Sequence, residues 1–206
     1  MKKIIVFNSI HGAGKTTLAK NLALQDPETY IFYPEVGGEL RKEVNYNCLE
    51  SGEDFDREVM RRELARDEFL LAEERIPLIE TWHIGNIRYL AARSPELIAQ
   101  YKDALRRQLV FFDPVAVFVQ ISWQTFKQRI SERIQPSQVE ELIQFYKLIS
   151  TKIFNIYQEL GIPYILINNE GKLDKVLLVL RREIQSRIQR DAEYNQEIHP
   201  RRDKER

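Results

Sequence analysis

The residues best suited to chemistry stand near the start of the chain, in Ser9-Ile10-His11-Gly12-Ala13-Gly14-Lys15-Thr16-Thr17. Gly12 and Gly14 let a backbone turn its N–H groups inward where a Cβ would clash. A lysine and a hydroxyl follow at once, and helical spacing begins there with Leu18 and Leu22. A helix starting at such a turn points its positive end at an anion. The pattern suits a triphosphate. Backbone from His11, Gly12, Ala13 and Gly14 through Lys15, Thr16 and Thr17 would cradle the phosphates. Lys15 would reach the β- and γ-phosphates, and the Thr16 hydroxyl would ligate Mg²⁺. Such loops by consensus open with Gly, and this chain has Ser9 there.

Two carboxylates and several arginines could complete such a site. Glu35 and Glu80 each follow an apolar run, Tyr30–Tyr33 and Ile76–Ile79. Ligands of open α/β sheets gather outside the carboxyl ends of strands, where both residues would fall. Phosphoryl transfer needs an oriented acceptor hydroxyl, a metal and positive charge around the transferred group. One carboxylate can take the hydroxyl proton and the other can serve the metal; each also reads as a strand-end partner of a neighbouring Lys or Arg. Arg129 and Arg133, four residues apart, would share a helix face and suit a polyphosphate. Gln135-Pro136-Ser137 then breaks the helix, as a mobile lid over residues 126–137 requires. The alternative is a solvated face paired with Glu132 and Glu140. Arg62 and Arg66 stand in a charge-dense stretch, Asp56 to Asp67, that also reads as a salt-bridged exposed helix. Arg41 and Lys42 are open in the same way. Trp82, His83 and Tyr89 are readable either as stacking on a ring or as packing residues.

These groups need a frame. Five apolar runs, Ile4–Phe7, Tyr30–Tyr33, Ile76–Ile79, Val115–Ile121 (broken only by Gln120) and Ile162–Ile167, are continuous rather than alternating and rich in β-branched or aromatic residues. Such runs suit strands buried on both faces. Helical spacing fills the gaps: Thr16 to Leu24, Phe55 to Ala72, Val139 to Leu160 and about Leu173 to Gln189. Ser137 with Glu140 forms a capping box, Gly161 marks a stop, and Ser94 before Pro95 marks a start. Alternating strands and helices imply parallel strands joined by right-handed crossovers. Residues 1–189 read as one domain, and residues 190–206 as a charged, poorly ordered tail.

Composition narrows the classes. The 206 residues carry 31 Lys plus Arg and 31 Asp plus Glu, so no basic excess points to nucleic acid. The single cysteine, Cys48, forms no internal disulfide, and three scattered histidines make no convincing zinc site. No run approaches a membrane span, and the apolar start lacks a cleavage site, so a soluble cytoplasmic protein is expected. Oligomeric state stays open, a homodimer included.

The loop admits several classes of nucleotide-binding protein. A GTPase would show Asp-x-x-Gly, and no Asp here has Gly three positions later; Gly171-Lys172-Leu173-Asp174 lacks the Asn of the base-reading motif. A mechanochemical ATPase would end an apolar strand in Asp, and here the run ends Ile79-Glu80. In four places the chain resembles the deoxynucleoside kinase and thymidylate kinase group of P-loop phosphotransferases. They are the loop ending Gly-Ala-Gly-Lys-Thr-Thr; Tyr33-Pro34-Glu35-Val36-Gly37-Gly38; Ile79-Glu80-Thr81-Trp82-His83 with Arg88-Tyr89 beyond; and the arginine-bearing stretch Phe126 to Arg133. The second place has Pro before Glu rather than after it, and the third lacks the adjacent Arg. The resemblance implies an α/β three-layer sandwich around a five-stranded parallel sheet of order 2-3-1-4-5. It implies an ATP- and Mg²⁺-dependent kinase of a nucleoside or nucleotide. Glu35 would be the base, Glu80 would stand on the metal side with Thr16, and Lys15, Arg129 and Arg133 would act on the transferred group. Arg41, Arg62, Arg66, His83 and Arg88 are the substrate candidates. The rival readings are a kinase of another small hydroxyl metabolite, such as a nicotinamide riboside, and a nucleotide-sensing ATPase module.

Overall fold

The computed structural model describes residues 1–44, 52–132 and 136–198. The chain runs β1 (Lys2–Asn8), α1 (Lys15–Gln25), β2 (Tyr30–Tyr33), α2 (Val36–Val44), α3 (Glu53–Ala72), β3 (Ile76–Glu80) and α4 (His83–Arg93). A 3₁₀ turn at Pro95–Leu97 leads to α5 (Ile98–Gln108), β4 (Phe112–Gln120), α6 (Trp123–Ser131), α7 (Pro136–Glu159), β5 (Tyr164–Asn168) and α8 (Leu173–Ile198). The five strands form one sheet of order β2-β3-β1-β4-β5, and every pairing is parallel.

Alternation along the strands explains the continuous apolar runs. On β1, Ile4 and Val6 face the core shared with α4, α5 and α7, while Ile5 and Phe7 face the core shared with α1 and α8. Both faces are covered there, so Ile4 to Phe7 are all apolar. Burying each such side chain contributes about 1.5–3 kcal/mol. Strand ends come level: Phe7 pairs with Glu80, and Asn8 with Phe118. The loops after β1, β3 and β4 therefore meet at one edge.

Several elements depart from their sequence signals. β4 starts at Phe112, ahead of the apolar run, because β1 pairs with it there and Lys3 joins Asp113 across the strands at 2.5 Å. β5 is not buried on both faces. Ile165 and Ile167 are buried while Tyr164 and Leu166 are exposed, as an edge strand covered on one side allows. Ser94 and Pro95 do open a helical stretch, with Ser94 at the N-cap position, but its hydroxyl donates to Asp56 (2.9 Å) instead of capping, and the first turn is 3₁₀ before α5. α7 begins at Pro136, so Ser137 lies inside it rather than at its cap. α6 ends at Ser131; Arg133, expected to share a helix face with Arg129, lies outside the described residues. Gly37 and Gly38 fall in the first turns of α2. α8 continues past Gln189 to Ile198, into the stretch that reads as a charged tail. Among the described residues, no helix is long and apolar enough to cross a membrane.

Candidate active site

The loop between β1 and α1 needs its glycines. Gly12 has φ 78° and Gly14 φ 95°, left-handed values that a side chain would strain. A Cβ on Gly14 would also lie 2.4 Å from Asn169 Nδ2, which donates to Ala13 O at 2.7 Å. Gly14 stands before α1 with no side-chain cap, so the first N–H groups of the helix are left for an anion. Lys15 is buried and folds back, its Nζ 3.2 Å from Ile10 O and 3.4 Å from Ser9 O. Ser9 has its own work: its hydroxyl donates to Val119 O and ties the loop to β4. His11 on the loop and Thr16 and Thr17 in the first turn of α1 are exposed.

Thr16 Oγ1 donates to Glu80 Oε1 at 2.7 Å. Glu80 is buried at the end of β3 and also accepts the Glu35 backbone N–H. Burial pushes the Glu80 carboxyl upward, and nearby Lys15 and the Thr16 hydroxyl offset part of that. Thr81, next in line, has φ 63°, an unusual value for a β-branched residue and a sign of strain beside the site. Glu35, just past β2, lies 3.2 Å from Arg41 Nη2. Burial alone would raise its carboxyl; Arg41, Lys15 and His11 outweigh that and hold it down to about 2. Glu35 and Glu80 thus both face the lysine of the loop.

Thr16 and Glu80 fit Mg²⁺ by donor type. Both are hard oxygen donors, and the carboxylate is buried where a cation would favour its charged form. Among the described residues, no three His, Cys, Asp or Glu side chains form a cage of their own.

The arginines separate. Arg129 Nη1 donates to Gly12 O and Nη2 to Asn169 O, both at 3.3 Å, so α6 brings it onto the loop. Arg41 sits with Glu35 and over the Phe55 ring, 5.9 Å from its centroid. Arg66 donates to Pro34 O (3.0 Å) and pairs with Glu63, which keeps it beside the Glu35 segment. Arg62 is not brought in: it is committed to Glu43 and Glu58, each at 2.8 Å. His83 is fully buried, with Nε2 2.6 Å from Asp67 and Nδ1 3.1 Å from Glu63, and so faces α3 rather than an open cleft. Trp82 joins it there through Asp67 (2.9 Å), which makes both packing residues. The α3 charges are therefore of two kinds: Arg61 and Arg62 lace its exposed side, and Glu63 and Asp67 are interior. Arg88 is buried behind the loop, donating to Ser9 O at 2.6 Å. Asn169 escaped sequence reasoning; its one signal was its place just beyond the carboxyl end of a strand.

The sheet order, the loop and the strand-end carboxylates define the P-loop kinase fold. No protein-family model and no curated protein sequence matches the chain. Solved structures do match in fold. Thymidylate kinase from Candida albicans is similar at TM-score 0.64 and 13% identity, over 90% of this chain and 92% of that one. A deoxyadenosine kinase from M. mycoides, with products dCMP and a flexible dCDP bound, is similar at TM-score 0.60 and 13% identity, over 89% and 99%. NadR protein in complex with NR is similar at TM-score 0.62 and 16% identity, over 83% of this chain. The chain spans about half, 47%, of the length of that NadR chain. The fold is thus that of the P-loop nucleoside and nucleotide kinases.

Proposed function

We propose that the chain is an ATP- and Mg²⁺-dependent phosphotransferase whose acceptor is a nucleoside or nucleotide. The observation that carries this is the convergence of Lys15, Thr16, Glu80 and Glu35 at the carboxyl ends of β1, β2 and β3. The loop backbone and Lys15 bind the phosphates of ATP. Mg²⁺, when bound beside Thr16 and Glu80, supplies positive charge to the phosphate oxygens. Glu35 orients the acceptor hydroxyl and takes its proton; a carboxyl held near 2 is ionised at neutral pH, and a reaction with little covalent work asks mainly for orientation. Arg129 adds charge where it develops on the transferred group, and Arg133 is assigned with it. Arg41 and Arg66 border the acceptor side.

A second reading, a kinase of another small hydroxyl metabolite such as a nicotinamide riboside, draws support from the likeness to NadR bound to NR. Coupled ADP release with a panel of nucleosides, nucleoside monophosphates and nicotinamide riboside separates the two, with Lys15→Ala as the blank. ADP release that no acceptor stimulates would favour a nucleotide sensor over both.

A further inference from the structure

A cavity of about 430 Å³ lies behind the phosphate loop and is not built from its anion-binding residues. Ser9 and Ile10 form one wall, but nothing from His11 to Thr17 lines it. β4 contributes Phe118, and α7 contributes Ile153 and Phe154, so the walls are largely apolar and aromatic. The mouth carries Trp123 and Glu170. Glu170 accepts from the Thr125 hydroxyl (2.7 Å) and the Ser122 backbone N–H, which leaves it engaged at the rim.

Arg88 also lines this cavity, and it is the feature that asks for a ligand. The side chain is 1% exposed. One guanidinium nitrogen donates to Ser9 O and lies 3.1 Å from the Tyr89 hydroxyl. Nε is buried without a partner, and among the described residues no carboxylate pairs with the group. A guanidinium taken out of water without a counter-charge is costly, and such groups are ordinarily paired. The other interior arginine of α4, Arg93, has its carboxylate in Asp56. The phosphates of ATP belong on the stretch from His11 to Thr17, none of which lines this cavity.

We propose that the cavity is a second small-molecule site, which takes a flat apolar body bearing one acid group. The rings of Phe118, Phe154 and Trp123 meet the body, and Arg88 meets the acid. The size agrees, since pockets of roughly 300–1,000 Å³ hold drug-sized ligands. A bound acid shares Arg88 with the Ser9 carbonyl, so the site touches the first residue of the phosphate loop without occupying it.

Anilinonaphthalene sulfonate, an aromatic body with a single anion, serves as the probe, titrated by fluorescence into the full chain with and without saturating ATP and Mg²⁺. Saturable binding at one site per chain, retained in the presence of ATP, is expected. Ser150→Trp, which fills the cavity from α7, should abolish that binding while ATP affinity stays as in the parent. Arg88→Met should weaken it by roughly tenfold or more, the size of a lost charge-assisted pairing. Because Arg88→Met removes an interior group, Ser150→Trp decides the matter if that variant does not fold. Full displacement of the probe by ATP would assign it to the nucleotide site and overturn the proposal. So would binding that does not saturate, or that is unchanged in Ser150→Trp.

Discussion

At the residue scale, the roles proposed for Lys15, Gly14, Glu35 and Glu80 can be separated. Lys15→Ala should abolish measurable ATP binding by calorimetry. Gly14→Val should do the same for two reasons: the φ of 95° strains any side chain, and its Cβ would meet Asn169 Nδ2. Retained nucleotide affinity in a folded Gly14→Val protein would contradict the phosphate loop. Glu35→Gln keeps shape but accepts no proton, so turnover should fall by about 10²–10⁴-fold while ATP still binds. Glu80→Gln should instead raise the Mg²⁺ concentration needed for half-maximal rate. A metal defect in Glu35→Gln and a pure rate defect in Glu80→Gln would exchange the two assignments. Glu35 also carries a stability signature. Its carboxyl is lowered from 4.5 to about 2 in the folded chain. It therefore stabilises the fold above the unfolded value, on the order of 3 kcal/mol at neutral pH, and that contribution is lost as pH falls from about 4.5 towards 2. Urea titrations across this window should show a shallower loss of stability in Glu35→Gln than in the parent.

At the element scale, α6 matters because it carries Arg129 onto the loop. Ser122 caps it, accepting the Thr125 N–H at 3.1 Å. Ser122→Ala should cost about 1 kcal/mol, a fall of roughly 2–4 °C in Tm for a chain of this size. Arg129→Ala should lower turnover far more than ATP affinity, because charge builds on the transferred group only at the transition state. An unchanged kcat would make Arg129 a structural tie between Gly12 and Asn169. The turn from α7 into β5 offers a cleaner measurement. Gly161 has φ 64°, and nothing lies within 4 Å of where its Cβ would be. Gly161→Ala should therefore destabilise by about 1–2 kcal/mol through conformation alone, with no clash and no effect on kcat.

At the scale of the molecule, strands from both halves of the chain meet at one edge of the sheet, so a ligand there stabilises the sheet as a whole. ATP with Mg²⁺ at about 100 times its Kd should raise unfolding free energy by about 2.7 kcal/mol. Differential scanning calorimetry should show that shift in the parent and not in Lys15→Ala.

The glycine loop, Lys15, Thr16 and the five strands were legible in the sequence because each depends on neighbours close along the chain. Glycine spacing sets the turn, and burial writes an apolar run, on both faces in β1 and on one face in β5. The strand order followed from the resemblance, but the extent of each strand was not legible: β4 reaches back to Phe112 through Asp113 and Pro114 because β1 holds it there. Nor was the sorting of charges on α3. Helical spacing lists Arg62, Glu63, Arg66 and Asp67 alike, but only packing against α4 buries Glu63 and Asp67 around His83 and leaves Arg62 outside. Asn169 reaches Ala13 across 156 residues of chain, and Arg129 reaches Gly12 across 117. Local sequence thus determined which residues could hold a phosphate. The tertiary structure alone decided which distant side chains stand beside them, because that depends on the order in which strands are laid into the sheet.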